Sequence, residues 1–213
     1  MANNGGNVIR VFVHTGGESS PAWDPSGYST ETDTSTLVSQ LGSLLDYAKT
    51  KSVFVIPVLW NLAYQPTQNA VNLFWDDSKL KSYLNNTLTP LVTGLKLKPA
   101  LAAIDIINEP AGSIYPGRNP PGNTNPCFDT TNLSGTGANW VGLWLPVERV
   151  QKLINWSCAA IKAVSTNILC TIGEWSEITT TNSNTACTQC RNYYSDQCLV
   201  AAGTNTSGKL GKF

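Results

Sequence analysis

Along the 213-residue chain, short unbroken apolar runs alternate with longer stretches in which apolar residues return every three or four positions. Val8 to Val13 is a β-branched and aromatic run closed by His14-Thr-Gly-Gly, the pattern of a buried strand followed by a loop. Leu37, Leu41, Leu44, Leu45 and Ala48 then recur at helical spacing behind Asp33 or Thr34, either of which can cap the helix. Ser52 to Trp60 is a second continuous run, too short for a typical helix and rich in Val and Ile, hence a second strand. Pro57 deletes a ladder donor within it, so a bulge or an irregular end is expected there. Asp76 and Asp77 open a predicted helix through Leu80, Leu84, Leu88 and Leu91, kinked at Pro90. Ala100 to Ile107 is the third predicted strand, and Asn108-Glu-Pro110 ends it. The stretch that follows is rich in Pro, Gly, Asn and Thr and far exceeds the roughly 12 to 15 residues at which unstructured loops become unusual, which points to a functional loop. Val147, Val150, Ile154, Cys158 and Ile161 mark a further helix, Ile168 to Ile172 a fourth strand, and Gln189 to Ala202 a last helix.

Strand and helix in strict alternation, with unbroken apolar strands, is the signature of a parallel sheet covered by helices. A doubly wound open sheet and a (β/α)8 barrel both fit that alternation. A doubly wound nucleotide binder normally carries Gly-x-Gly-x-x-Gly after its first strand, and His14-Thr-Gly-Gly-Glu18 is not that pattern, so the barrel is favoured. A whole barrel takes about 250 residues and eight strands. Four strands are readable here, so the expected fold is α/β, a partial (β/α)8 TIM barrel.

Composition narrows the class. The chain is 41% hydrophobic and 13% charged, which fits a globular domain with a sizeable core. Lys plus Arg and Asp plus Glu both number 14 and form no block of one sign, so a nucleic-acid partner is not expected. The longest apolar run, Val53 to Trp60, falls well short of the roughly 20 residues that span a bilayer, and no membrane partner is expected either. No signal peptide is readable at the start, which alone would suggest the cytosol. Six cysteines (Cys127, Cys158, Cys170, Cys187, Cys190 and Cys198) and N-x-Ser/Thr sequons at Asn85, Asn132, Asn155 and Asn205 point instead to secretion, with the N-terminus missing and at least two disulfides of undetermined pairing. A zinc reading of Cys187-Thr-Gln-Cys190 lacks a second ligand pair, because the one histidine, His14, is far away in sequence; no metal and no cofactor are expected.

In a parallel barrel the residues just past the carboxyl ends of the strands face the active site. Those positions are His14, Trp60 with Asn61, Asn108 with Glu109, and Glu174 with Trp175. Asn-Glu-Pro on its own is equally an ordinary strand terminator. Glycoside hydrolysis needs a carboxylic acid beside the glycosidic oxygen and a second carboxylate, about 5 to 5.5 Å from the first when configuration is retained. Asn108-Glu109 supplies the first half, with an asparagine placed to hydrogen-bond the sugar 2-hydroxyl. Trp60 and Trp175, at strand ends, are candidate stacking platforms for sugar; Trp23, Trp75, Trp140 and Trp144 are as readily packing residues, and Trp156 reads as helix packing.

Gly5-Gly-Asn-Val-Ile-Arg-Val-Phe-Val-His14, Val58-Leu-Trp-Asn61 and Ile104-Asp-Ile-Ile-Asn-Glu-Pro110, in that order on successive strand ends, resemble glycoside hydrolase family 5, particularly the animal endo-β-1,4-mannanases. The resemblance covers most of the chain. It implies that Glu109 is the acid/base, Asn108 the substrate-binding asparagine on the fourth barrel strand, and Arg10 the second-strand arginine that orients the nucleophile, a role compatible with an ion pair inside the barrel. His14 becomes a candidate subsite hydrogen-bonder. The family nucleophile is a glutamate on the seventh strand, and Thr171-Ile-Gly-Glu-Trp175 superficially looks like its surroundings. Three βα steps of roughly 30 residues each would be needed to reach a seventh strand from Glu109. Far less separates Glu109 from Glu174, and much of it is loop, so Glu174 reads as a fifth-strand subsite residue and the nucleophile is expected beyond residue 213. The chain is therefore expected to hold about strands 2 to 5 and the start of strand 6 of one incomplete catalytic domain, residues 1–213. The implied parent is a monomeric, secreted, retaining endo-β-1,4-mannanase acting on mannan or a related β-1,4-glycan. A cellulase or other β-glucan hydrolase, a non-catalytic carbohydrate-binding remnant and a gene-model fragment without function of its own are the alternatives.

Overall fold

A computed structural model of the chain describes residues 5–63, 65–182 and 190–203. Four strands, β1 (Val8–Thr15), β2 (Phe54–Trp60), β3 (Ala103–Asn108) and β4 (Leu169–Gly173), form one sheet in the order β1-β2-β3-β4, every neighbouring pair parallel. Helix α1 (Thr34–Thr50) connects β1 to β2; α2 (Gln68–Trp75), α3 (Asp77–Tyr83) and α4 (Thr89–Leu95) connect β2 to β3; α5 (Val147–Val164) connects β3 to β4, and α6 (Asp196–Ala201) follows. Strand order that keeps pace with chain order, without the reversal of a doubly wound sheet, is the winding of a β/α barrel. The four strands are an arc of one.

The two faces of the arc differ. Val55, Leu59, Ile104, Ile106 and Cys170 are buried in one core with Leu45 and Ala48 of α1, Leu91, Val92 and Leu95 of α4, and Val150, Leu153, Ile154 and Ile161 of α5. Alternation puts Val8, Arg10, Phe12, Phe54, Asp105 and Leu169 on the other face, with Val8 beside Phe54, Asp105 beside Val58 and Ala103 beside Leu169. There Val8, Phe12, Phe54 and Leu169 stay 46 to 61% exposed. Among the described residues no second layer covers these side chains.

The apolar pattern places α1, α5 and all four strands, and the structure differs at the punctuation. Asp33 precedes α1 but makes no side-chain cap bond, whereas Asp76 caps α3 by accepting from Ser78 and Lys79 N–H. The predicted kink at Pro90 takes the form of a π turn, Leu84–Leu88, in which Thr89 N–H reaches back to Leu84 C=O. The extra residue leaves Pro90, which has no N–H to give, in the first turn of α4. Opposite Pro57, three steps of β2 from Val55 to Val58 face four steps from Leu101 to Asp105, so the ladder bulges on the β3 side where the proline cannot donate. Helix α2 is not evident in the apolar pattern; Thr67 starts it by accepting from Ala70 N–H. The last helix is shorter than expected, since residues 190–195 are not helical, and the expected start of a further strand lies outside the described residues.

The long segment after β3 is held without strand or α-helix. It carries three short 3-10 turns, Pro110–Ser113, Pro126–Phe128 and Thr131–Leu133, and a bridge between Ile114 and Leu145. Disulfide Cys127–Cys198 ties it to α6, and Cys158–Cys170 ties α5 to β4. Cys190 is also disulfide-bonded; Cys187 lies outside the described residues.

Candidate active site

The carboxyl end of β3 carries Asn108 and Glu109, flanked by Asn61 after β2 and Glu174 after β4. Glu109 ends the strand with a left-handed backbone, φ 49 and ψ 54. That conformation costs a residue with a side chain on the order of 1 to 3 kcal/mol and persists only where the surroundings hold it. They do so here. Glu109 N–H donates to Gly173 C=O, Gly112 N–H donates to Glu109 C=O at 2.9 Å, and Ala111 N–H donates to Glu174 Oε2 at 3.3 Å. Glu109 itself is half-buried, and among the described residues its carboxylate has no hydrogen-bond or ion-pair partner. It is free to meet a ligand.

Arg10 reaches from β1 across the sheet. One guanidinium nitrogen donates to Asp105 Oδ2 at 2.6 Å and to Asn108 Oδ1 at 3.1 Å. Since a guanidinium only donates, the Asn108 oxygen must face Arg10, which leaves Asn108 Nδ2 pointing to Asn61 Oδ1 at 3.4 Å. Asp105 is 2% exposed. Burial pushes its carboxyl above the usual range, and the bond and charge of Arg10 oppose that rise without cancelling it. Gly173 makes room for the pair: a Cβ there would collide with the Arg10 guanidinium and lie 2.9 Å from Asp105 Oδ2. Asp105 is the part of this network not evident beforehand, although a lone charge inside Ile104-Asp-Ile-Ile does ask for a partner.

His14 and Trp60 sit otherwise than expected of sugar-facing groups. Both are 1% exposed. Their rings lie 4.9 Å apart and each meets Tyr83 of α3, at 5.5 and 5.2 Å. His14 Nδ1 is bonded to Ser20 Oγ at 2.6 Å, and burial pulls the imidazole down to about 3, which keeps it neutral. The physical reason is local register: the β1–β2 ladder shifts between Phe12 and Thr15, so strict alternation does not extend to His14. Trp175, by contrast, is 44% exposed and packs edge-on against Trp140, itself 46% exposed, with ring centroids 5.2 Å apart. Trp140 lies against Gly112 in the turn after Glu109, where a Cβ would come within 2.5 Å of the indole. Trp156 is buried in α5, a packing residue as its helical position indicated.

Glu174 is the second carboxylate at this end of the sheet. Its Oε1 accepts from Trp175 N–H at 2.8 Å, and its Oε2 accepts from Ala111 N–H and, at 3.0 Å, from the Tyr194 hydroxyl. Burial raises its pKa and these donors hold part of the rise back; Tyr194 is in turn raised by burial and by the carboxylate it faces. Among the described residues no group of three or more His, Cys, Asp or Glu side chains could hold a metal ion.

This arrangement has close counterparts. The mannan endo-1,4-β-mannosidase of Cryptopygus antarcticus is 47% identical over 206 residues, which is 96% of this chain and 52% of that protein. The protein of the same name from Mytilus edulis is 40% identical over 212 residues, 99% of this chain and 56% of its own length. The crystal structure of the Cryptopygus antarcticus β-1,4-D-mannanase superposes with a TM-score of 0.89 at 45% identity, covering 98% of this chain and 56% of the other. This chain is similar over nearly its whole length to these β-mannanases. It spans about half the length of the curated relatives it matches. No protein-family model matches it. Its four parallel strands are accordingly part of the TIM barrel of these enzymes.

Proposed function

We propose that residues 1–213 are one part of the catalytic domain of a retaining endo-β-1,4-mannanase, and that they contain its acid/base, Glu109. The observation that carries the reading is Glu109 on a held left-handed turn beside an oriented Asn108, in a chain 47% identical to a mannan endo-1,4-β-mannosidase. In this mechanism Glu109 gives its proton to the glycosidic oxygen as the bond breaks, then removes one from the water that releases the sugar. Asn108 Nδ2, turned away from Arg10, donates to the sugar 2-hydroxyl, a bond that strengthens as positive charge develops on the ring. Arg10 fixes that amide and Asp105 fixes Arg10. Asn61 bounds the same subsite, and Trp175, with Trp140 behind it, offers an indole to a sugar in a neighbouring one. His14 and Trp60 shape the site from within the packed layer. The nucleophile is to be sought in the part of the relatives' length that this chain does not span.

Hydrolysis by the complete gene product decides substrate class. Galactomannan should be cut internally with retention, and action on carboxymethylcellulose alone would refute the mannan assignment. We further propose secretion and a monomeric whole protein. The bridges Cys127–Cys198 and Cys158–Cys170 support secretion, and among the described residues no helix is long and apolar enough to cross a membrane. Of the sequons, Asn85 is exposed, Asn132 is half-buried and Asn155 is fully buried, donating to Leu199 C=O at 3.0 Å; Asn205 lies outside the described residues. Sedimentation of the complete gene product tests the monomer.

A further inference from the structure

Glu174 stands one strand from Glu109, and both its oxygens are engaged by donors from the protein: Trp175 N–H on one, Ala111 N–H and the Tyr194 hydroxyl on the other. The partner that matters is Ala111. Glu109 is followed by Pro110, which has no N–H, so Ala111 carries the first amide after Glu109 that any group can grip. Glu174 grips it. Glu109 N–H is meanwhile held by Gly173 C=O, the residue immediately before Glu174. Two consecutive residues, the last of β4 and the first after it, thus hold the backbone at Glu109 and just beyond Pro110.

We propose that Glu174 is a positioning residue. It fixes the Pro110–Ser113 turn, aims the Glu109 carboxyl, and so acts on proton transfer through Glu109 without touching substrate. The proposal rests on the reading of Glu109 as acid/base. Tyr194 completes the device: its hydroxyl anchors Glu174 from the segment before α6, and its own N–H is fixed on Asn192 Oδ1 at 3.0 Å. The loop after β3 and the two ends of the segment between β4 and α6 meet at one carboxylate.

The test has one arm that needs no activity and one that does. Amide exchange in the full 213-residue chain reads the grip. Loss of one hydrogen bond of about 1.4 kcal/mol predicts roughly tenfold faster exchange at Ala111 in E174L, while E174Q, which keeps an acceptor oxygen, stays near the parent. Should E174L fail to fold, E174D carries the same arm, since its shorter carboxylate falls short of Ala111 and must give the same gain in exchange. In the complete gene product, E174L should lower kcat on mannan about tenfold with KM within about twofold, and E174Q should restore most of the loss. The glycosylation step on an activated aryl mannoside, which needs no proton, should stay near the parent rate. Unchanged Ala111 exchange in both E174L and E174D overturns the proposal. So does an effect confined to KM, which would make Glu174 a substrate contact. So does loss of turnover on both substrates that azide restores as a glycosyl azide, which would make it the nucleophile. A parent protein inactive on every β-glycan would sink the mannanase reading, and the exchange arm would still decide whether Glu174 holds the turn.

Discussion

Replacing Arg10 with Met keeps most of the side chain's length and removes the charge that faces Asp105. The carboxylate is 2% exposed and its pKa already lies above the ordinary range because of burial, with Arg10 opposing. Breaking a buried pair from one side costs about 3 to 5 kcal/mol; Arg10 is 43% exposed, so its charge is partly screened and about 2 to 3 kcal/mol is the better expectation at pH 7. The sign with pH follows from the direction of the shift. A carboxyl raised in the folded state is least costly below its unfolded value of about 3.9 and grows costly as pH rises through its folded value. Arg10→Met raises it further, so the difference between variant and parent should be large at pH 7 and shrink to about 1 kcal/mol or less near pH 4. In urea, with a slope of about 2 to 3 kcal/mol per M, the midpoint should drop by about 1 M at pH 7 and much less at pH 4. Asp105→Asn in the same chain should recover most of the loss, because the uncompensated charge is gone. An equal loss at both pH values, or no recovery in the double variant, would refute the role given to this pair.

Two further predictions concern the scaffold. The Cys127–Cys198 bridge closes a loop of 71 residues, for which chain entropy alone gives roughly 4 kcal/mol; C127S/C198S should melt well below the parent, and an unchanged melting temperature would deny the bridge any part in ordering the loop after β3. His14 is held neutral by burial down to about pH 3, against an unfolded value of about 6.5. Its contribution is present above pH 6.5 and falls as pH drops, by about 2.7 kcal/mol between pH 6.5 and 4.5 at about 1.36 kcal/mol per unit. His14→Gln should flatten that part of the stability profile, and urea midpoints that keep the parental slope between pH 7.5 and 4.5 would show that His14 does not titrate as buried.

Periodicity carried the architecture because each strand and the two long helices bury a continuous apolar surface, and burial imposes a period of two or three to four on the residues that face it. Helix α2 escaped because it is eight residues long and begins Gln-Asn, so its start is a cap bond from Thr67 and not an apolar stripe. The π turn escaped because Pro90 tells only that a bond is missing, not whether the chain kinks or inserts a residue. In the site, Glu109, Asn108, Asn61 and Glu174 were legible from their places at strand ends, and the structure does bring them to one end of the sheet. Side-chain direction was not. The slip between Phe12 and Thr15, where His14 lies, is a backbone event with no apolar signature; the bulge opposite Pro57 was foretold by the proline, but the packing of Trp60 against His14 and Tyr83 was not. The grip of Glu174 on Ala111 joins residues far apart in sequence, and the Tyr194 hydroxyl that backs it comes from the loop before α6, a position that no strand-end rule would select.

Glu109 is proposed to transfer the proton in glycoside cleavage. The most direct test of that role is Glu109→Gln in the complete gene product, assayed on galactomannan and, in single turnover, on an activated aryl β-mannoside. Loss of general acid/base help is expected to slow galactomannan cleavage by about 10²-fold to 10⁴-fold. Formation of the glycosyl-enzyme from the aryl mannoside should be spared, because that leaving group departs without a proton. Cleavage of galactomannan by the variant at the parental rate would contradict the assignment.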